Sequence, residues 1–369
     1  IPSTDGLTLE ELNARGLNAL SDGWYLAART YFETANNVAG SEQSTQADTA
    51  RFFHAITRVI AIGFSTFSDG DSTDMNQLGD FLDLFGVADD MSRGNWRIIE
   101  DTTTMPSDSP TGNTLRDSAY SIVSAELRAA VTTLDQVSTG FNKNWKEPEV
   151  RNLNGEPVES DYGDALFFKS LFKTMLASLA IQRAYELDAD IDATFNRNRD
   201  DDPLNDVTVQ EFLADSTNDQ IMSLVEPGKL AEAKLLLLDA LADMDAAVDA
   251  IDAETDDQQD DFITLMTLTN EDAATAKDFI ADARKSIQGL DSVFDQNDAN
   301  ADNDWRVHLD IFFDTGLDFR TPDRLPPFTG NNVSGLFPDP TFNSIVIIPD
   351  LNEDIRPADG IPDLFQKKP

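Results

Sequence analysis

The stretch DYGDALFFKSLFKTMLASLAIQRAYEL, residues 161–187, decides the fold class. Its apolar side chains recur every three or four residues, which is the spacing of a helix face, and further phenylalanines and leucines widen that face. A helix that is apolar on more than one flank is buried by its neighbours. Lys169 and Lys173 interrupt the apolar run before it reaches about 18 residues, so we expect no membrane span.

Helical spacing continues on both sides of this stretch. The predicted long core helices cover residues 113–138, 161–187 and 228–253. The last of them carries a seam of apolar residues that alternate by four and three, as packed helices do: Leu237, Leu241, Met244, Val248 and Ile251. The sequence therefore predicts an all-α body built from helical hairpins or a helix bundle.

The opposite side of helix 228–253 is crowded with aspartates. Asp239 and Asp243 form a like-charged pair four residues apart, and Asp245 and Asp249 form a second. Each such pair costs roughly 0.2–0.5 kcal/mol on a helix surface. We interpret this side as facing solvent and expect cations or salt to relieve the repulsion.

Residues 9–64 have the spacing of helical hairpins. Thr8-Leu-Glu-Glu11 has the pattern of a capping box, and a second helix is predicted after Asp22-Gly23. Small and aromatic residues recur at packing positions of these helices: Gly16, Gly23, Ala28, Phe32, Ala35, Ala50 and Phe53. These positions match the 34-residue pattern of tetratricopeptide repeats, which residues 9–64 therefore resemble. The resemblance implies antiparallel helix pairs with a concave binding face. Two ordinary amphipathic hairpins would show similar spacing.

The C-terminal region differs from the helical body. Nine of the 16 prolines follow Thr321, which disfavours helices there. Trp305, Val307, Leu309 and Ile311 alternate as in a strand, and Phe342–Ile348 is a β-branched run. We predict an extended, Pro-rich tail with one or two short β segments. The predicted domains are helical hairpins over 1–64, a helical bundle over 65–290, and an Asx- and Pro-rich extended region over 291–369.

Charge limits the classes of partner. The chain has 68 acidic and 27 basic residues, and its formal net charge is −41. Nucleic acids and anionic membrane surfaces are polyanions, so neither is an expected partner. The acid is mainly aspartate, 51 Asp against 17 Glu. Adaptation to a saline habitat would spread carboxylates over every surface, whereas calcium binding would concentrate Asp and Asn in loops. Both distributions occur here.

The segment Asp298–Asp304 is the first candidate calcium loop. Its oxygen-bearing side chains stand at relative positions 1, 3, 5 and 7, as in an EF-hand. Asn303 stands where that loop has glycine, and Leu309 where it has a bidentate glutamate. A modified calcium loop and a solvated acidic linker both fit this pattern.

A second candidate lies between residues 350 and 363. Asp350-Leu-Asn352-Glu-Asp354 and Asp359-Gly-Ile-Pro-Asp363 resemble the two halves of a thrombospondin type 3 calcium motif, with residues 355–358 inserted. In a third, Asn196–Asp206, Arg197 and Arg199 separate the oxygen donors and can pair with them. The predicted calcium ligands are therefore Asp298, Asn300, Asp302, Asp304, Asp350, Asn352, Asp354 and Asp363.

No catalytic signature is present in the sequence. There is no cysteine, which excludes disulfides and thiol catalysis. His54, in the run FFHAI, is interpreted as a packing residue rather than a general base. Carboxylate pairs are too frequent among 68 acids to identify a hydrolase. We therefore expect no enzymatic activity, no catalytic residues and no organic cofactor.

These observations lead to three functional hypotheses. The chain begins at Ile1, which suggests that a leader has been removed or that the sequence has been trimmed; we expect export to the extracellular space or cell surface, or alternatively to the periplasm. The first hypothesis is a calcium-stabilised structural subunit that self-associates into a homopolymer or filament through its Phe342–Ile348 tail. The second is a tetratricopeptide-like binding or adaptor module. The third is a hydrolase with a carboxylate pair.

Overall fold

Helices form most of the structure. The computed structural model describes residues 2–62, 88–90, 95–97, 111–145, 158–189, 218, 220–254, 273–290, 293–294, 305–317 and 346–347. The helices within these residues are α1 (Leu9–Ser21), α2 (Tyr25–Ala39), α3 (Thr45–Ile62), α4 (Gly112–Leu134), α5 (Tyr162–Ala184), α6 (Gly228–Asp252), α7 (Ala273–Gln288) and α8 (Leu309–Thr315). The predicted all-α body is confirmed, and the three predicted long helices correspond to α4, α5 and α6.

Short antiparallel strands accompany the helices. The strands of the described residues are β1 (Ala88–Asp90), β2 (Asn95–Arg97), β3 (Asn142–Trp145), β4 (Val158–Asp161), β5 (Val293–Phe294), β6 (Trp305–Val307) and β7 (Val346–Ile347). They pair as β1–β2, β3–β4 and β5–β6–β7. Each strand has two to four residues. The hydrophobic core clusters of the described residues consist mainly of helix residues.

The chain divides into two compact units that interleave along the sequence. The first comprises residues 1–100, 118–179 and 236–280, and the second comprises 101–117, 180–235 and 281–369. The division into 1–64, 65–290 and 291–369 stays a prediction. The sequence also predicts short helices over residues 75–85 and 257–268, and both ranges lie outside the described residues.

The first three helices of unit 1 form two antiparallel hairpins. The predicted capping box starts α1: Thr8 Oγ1 accepts a hydrogen bond from Glu11 N–H, and Glu11 Oε2 accepts one from Thr8 N–H at 2.8 Å. The bond from the Thr8 backbone lowers the pKa of Glu11. Gly16 packs directly on Phe32, since a Cβ there would lie 2.8 Å from the ring carbon Cζ. Only glycine permits α1 and α2 to approach this closely.

Aromatic side chains connect these hairpins with the rest of the unit 1 core. Phe32 stacks on Phe53 with ring centroids 5.3 Å apart. Phe52 contacts Phe141 after α4, at 5.4 Å, and Phe168 on α5, at 5.9 Å. Each such pair adds about 0.5–1.5 kcal/mol beyond simple area burial. The core of unit 1 therefore draws on residues of α1 to α5.

The β3–β4 hairpin leads directly into α5. Asp161 and Asp164 exchange hydrogen bonds at the start of that helix: Asp161 Oδ1 accepts from Asp164 N–H at 3.0 Å, and Asp164 Oδ2 accepts from Asp161 N–H at 3.2 Å. Both carboxylates satisfy N–H groups that the helix start would otherwise leave free. The central helix therefore has a fixed beginning.

In unit 2, the segment after α5 is held by backbone bonds and by one tyrosine. Tyr185 forms a β-bridge with Leu224, and its hydroxyl accepts a hydrogen bond from Leu317 N–H at 3.4 Å. Met222 has φ 65°, a left-handed conformation that is uncommon for a non-glycine residue. Met222 N–H donates to Glu186 O at 2.8 Å, which holds this turn in place.

The strand predicted over residues 305–311 is only partly correct. Residues 305–307 form β6, but Leu309 and Ile311 belong to α8. The physical reason is Ser286 of α7, whose Oγ accepts from Leu309 N–H at 3.1 Å and donates to Val307 O. This contact ends the strand and satisfies a free N–H at the start of the helix. The predicted β run at 342–348 contains β7.

Candidate functional site

The predicted calcium ligands lie outside the described residues. This applies to Asp298, Asn300, Asp302, Asp304, Asp350, Asn352, Asp354 and Asp363. Within the part of the chain that the structure describes, no three acidic or histidine side chains are grouped to hold a metal ion. The calcium loops therefore stay predictions.

The sequence did not predict a buried ion pair on α3, which holds the α2–α3 connection. Arg51 Nη1 lies 2.9 Å from Asp48 Oδ1, and the two side chains are 1% and 2% exposed. Arg51 Nη2 also donates to the carbonyl oxygens of Gly40 and Glu42, at 3.0 and 2.7 Å. Ser138 Oγ donates to Asp48 Oδ2. This pair has a structural role, because solvent does not reach it.

The aspartates of α6 were interpreted as facing solvent; this is correct for Asp239 and Asp249, whose side chains are 73% and 64% exposed, but wrong for Asp243. Asp243 is mostly buried between the two lysines of α5: Lys169 Nζ lies 3.1 Å from Asp243 Oδ1, and Lys173 Nζ lies 2.6 Å from Oδ2. Lys169 also bonds Asp135 at 2.8 Å. Burial alone would lower the pKa of Lys169, but these hydrogen bonds outweigh burial and raise it. The chain itself supplies the counter-charge here.

The second aspartate pair of α6 is also paired from within the chain. Lys277 of α7 bonds Asp249 and lies 3.8 Å from Asp245. The hydrogen bond to Asp249 is the main cause of a raised Lys277 pKa. The side chains of Lys277 and Asp249 are 36% and 64% exposed, so salt will weaken this pairing.

One group of charged side chains contains more bases than acids. It consists of Arg29, Arg58 and Glu126, and we call it the arginine cluster. Arg29 Nη2 lies 3.2 Å from Glu126 Oε1, and Arg58 Nε lies 2.7 Å from Glu126 Oε2. The side chains are 27%, 21% and 24% exposed, in the order Arg29, Arg58, Glu126. The cluster joins α2, α3 and α4 and carries a formal charge of +1, from two guanidinium groups and one carboxylate. It is therefore a positive site in a strongly acidic chain.

His54 lies one helical turn before Arg58 and is buried. Asn36 Nδ2 lies 3.3 Å from His54 Nδ1. Because an amide nitrogen can only donate, Nδ1 accepts and the ring proton resides on Nε2. Nε2 is buried and has no partner among the described residues. Burial, followed by the charges of Arg58 and Arg29, lowers the pKa of His54 to about 4, so the ring is neutral at pH 7.

The interpretation of His54 as a packing residue agrees with its burial in the α3 core. The sequence did not predict the arginine cluster, because Glu126 lies far along the chain from both arginines. The available signal was weak: Arg29 and Arg58 are basic residues on two predicted neighbouring helices of an acidic chain. No pattern of spacing identifies the carboxylate that they share.

Comparisons with known proteins identified no relative of this chain. No protein-family model matches the chain, no curated protein matches it, and no solved structure matches it. The resemblances to tetratricopeptide repeats and to thrombospondin type 3 motifs therefore stay predictions. In the described part of the chain, every helix is too short or too polar to cross a membrane.

Proposed function

We propose that the protein is a non-enzymatic structural subunit, exported to the cell surface or beyond, which assembles into a homopolymer by exchanging its C-terminal strand between copies. The observation that carries the proposal is the pairing of β7 with β6. Val346 pairs with Val307 and Ile347 with Arg306, although a long segment separates the two strands in sequence. A strand that joins a sheet from far along the chain can join the same position in a second copy.

The geometry of exchange favours an open assembly. The donated element is β7 and the acceptor is the side of β6 with which β7 pairs, whereas the other side of β6 pairs with β5. Donor and acceptor are different surfaces, so each contact between copies is heterologous. Heterologous contacts extend into filaments unless their rotation closes a ring. The same two residue pairs form within one copy and between copies, so protein concentration decides which form dominates.

Assembly of a chain with charge −41 must overcome repulsion between copies. The predicted calcium ligands are adjacent in sequence to the pairing strands: Asp298–Asp304 directly precedes β6, and Asp350–Asp363 follows β7. Calcium bound by these carboxylates would neutralise charge where two copies meet. We therefore propose calcium as the stabilising ion.

Light scattering and negative-stain imaging test the proposal directly. We expect filaments or large particles with calcium at high protein concentration, and fewer after chelation. The double variant Val346→Pro/Ile347→Pro removes both β7 N–H donors, so it should remain monomeric while its helical circular dichroism is unchanged. Val346→Thr/Ile347→Thr is the matched control and should assemble. A wild-type protein that is monomeric with and without calcium would rule the proposal out.

A binding or adaptor module built on the α1–α3 hairpins is the second candidate. The arginine cluster favours it, because a partly exposed positive group on α2 and α3 is suited to an acidic ligand. A wild-type protein that stays monomeric in every condition, yet binds an acidic ligand saturably, would favour this candidate over the assembly subunit.

A further inference from the structure

The arginine cluster has fewer acceptors and less negative charge than its surroundings. Among the ion-pair groups of the described residues, it is the one in which bases outnumber acids. Elsewhere in unit 1, Lys169 and Lys173 share three aspartates, Lys277 has two, and Arg51 has one. In a chain with charge −41, a group with surplus positive charge is the place where an anion is most stable.

The hydrogen-bond donors of the cluster are also in surplus. Within the described residues, Arg58 donates only through Nε and Arg29 only through Nη2. Both terminal nitrogens of Arg58 are therefore free of protein partners there. Beside them, the buried His54 Nε2–H has no acceptor among the described residues. Glu126 is the one acceptor that two guanidinium groups share.

We propose that the arginine cluster binds a carboxylate group of a ligand, held chiefly by the terminal nitrogens of Arg58 and by Arg29. The planar fork of a guanidinium matches the two oxygens of a carboxylate. The surplus of one positive charge balances a single negative charge, whereas the rest of the acidic surface repels multivalent anions such as phosphate. Three-quarters burial of the side chains strengthens the attraction and still leaves the cluster reachable from solvent.

The carboxylate has two possible sources with the same chemistry. It is either a free organic acid or an acidic side chain of a second copy of the chain. The site does not depend on strand exchange, since Arg29, Arg58 and Glu126 belong to helices distant in sequence from β6 and β7. A failure of one proposal therefore leaves the other standing.

Histidine NMR provides a clean test, because the chain has only two histidines. Sodium acetate replaces sodium chloride at constant ionic strength and pH 7, and the ring signals of His54 and His308 are followed. We expect a saturable shift at His54 with His308 unmoved. Arg58→Gln should weaken the acetate affinity by about tenfold or more, and Arg58→Lys by less, since lysine keeps the charge but loses the fork.

The variant Glu126→Gln is a second test, because it removes the carboxylate that competes with acetate for the two guanidinium groups. We expect acetate to bind this variant more tightly than wild type, whereas a purely structural ion pair would gain no acetate dependence. Dilution without acetate separates the sources: a His54 shift that depends on protein concentration assigns the carboxylate to a second copy, and a constant signal assigns it to a free acid. No acetate shift at His54, or equal shifts in wild type and Arg58→Gln, would overturn the proposal.

Discussion

The helices α1–α3 and the β5–β6–β7 sheet are held together in different ways. Side-chain packing holds the helices together: Phe32 and Ala28 are fully buried, and the Asp48–Arg51 ion pair is closed to solvent. In the sheet, strands of two or three residues meet through backbone hydrogen bonds. Side-chain packing is specific to its partner, whereas backbone pairing accepts any strand of the same register. The sheet is therefore the region suited to exchange between copies.

The largest expected effect on stability is at Arg51. Arg51→Met leaves the Asp48 carboxylate buried without its partner, so we expect a loss of about 3–5 kcal/mol in the free energy of unfolding. Urea denaturation followed by circular dichroism measures it. The double variant Arg51→Met/Asp48→Asn removes both charges and should recover a large part of that loss. A loss below about 1 kcal/mol in the single variant would show that the pair is not closed to solvent.

The second prediction tests the close approach of α1 and α2. Gly16→Val places methyl groups against the Phe32 ring, so we expect a loss of about 1–3 kcal/mol by overpacking. In the double variant Gly16→Val/Phe32→Leu the smaller side chain makes room, and the combined loss should be less than the sum of the two single losses. Additive losses would contradict direct packing of Gly16 on Phe32.

The third prediction concerns pH. His54 has a pKa of about 4 when folded, below the ordinary value of 6.5, so the unfolded chain binds more protons between these values. The stability that neutral His54 contributes is complete above pH 6.5 and is lost as the pH falls towards 4, by about 1.4 kcal/mol per pH unit. Burial is the main cause of this lowered pKa, the charges of Arg58 and Arg29 lower it further, and Glu126 opposes them.

His54→Gln keeps an acceptor for Asn36 but does not titrate. Urea denaturation of both proteins between pH 6.5 and 5 isolates the histidine, since carboxylates contribute equally to the two slopes. We expect a shallower fall in stability for the variant. Parallel slopes would mean that solvent reaches the ring.

The smallest effect on stability is expected in the sheet. Val346→Pro/Ile347→Pro should change the unfolding free energy of the helices by less than about 0.5 kcal/mol, because β7 pairs with β6 and belongs to none of the described helices. Assembly should nevertheless be lost. A large loss of helical stability in this variant would show that β7 is part of the folded core instead of an exchangeable strand.

Local patterns predicted the helices well, because their causes lie within a few residues. The sequence predicted the capping box at Thr8 and Glu11, and its apolar spacing predicted α4, α5 and α6. It did not predict where β6 ends. The alternation from Trp305 to Ile311 fits a strand, but Ser286, distant in sequence, starts a helix at Leu309.

The ion pairs between helices were also hard to predict, because their partners are distant in sequence. Asp243 looked exposed beside Asp239, and only the fold places Lys169 and Lys173 on either side of it. Glu126 is likewise far in sequence from Arg29 and Arg58. Spacing along one helix shows which charges are neighbours on that helix, but pairing between helices depends on the whole packing arrangement.

Cysteine cross-linking tests strand exchange most directly, because the chain has no cysteine of its own. Val307 and Val346 are register partners, and paired strand residues lie about 4.5–5.5 Å apart at Cα, within disulfide range. Val307→Cys and Val346→Cys proteins are mixed with calcium, oxidised and separated on a non-reducing gel. We predict disulfide-linked dimers that contain one copy of each variant. If the mixture stays uncross-linked while a Val307→Cys/Val346→Cys double variant closes only within single chains, strand exchange is contradicted.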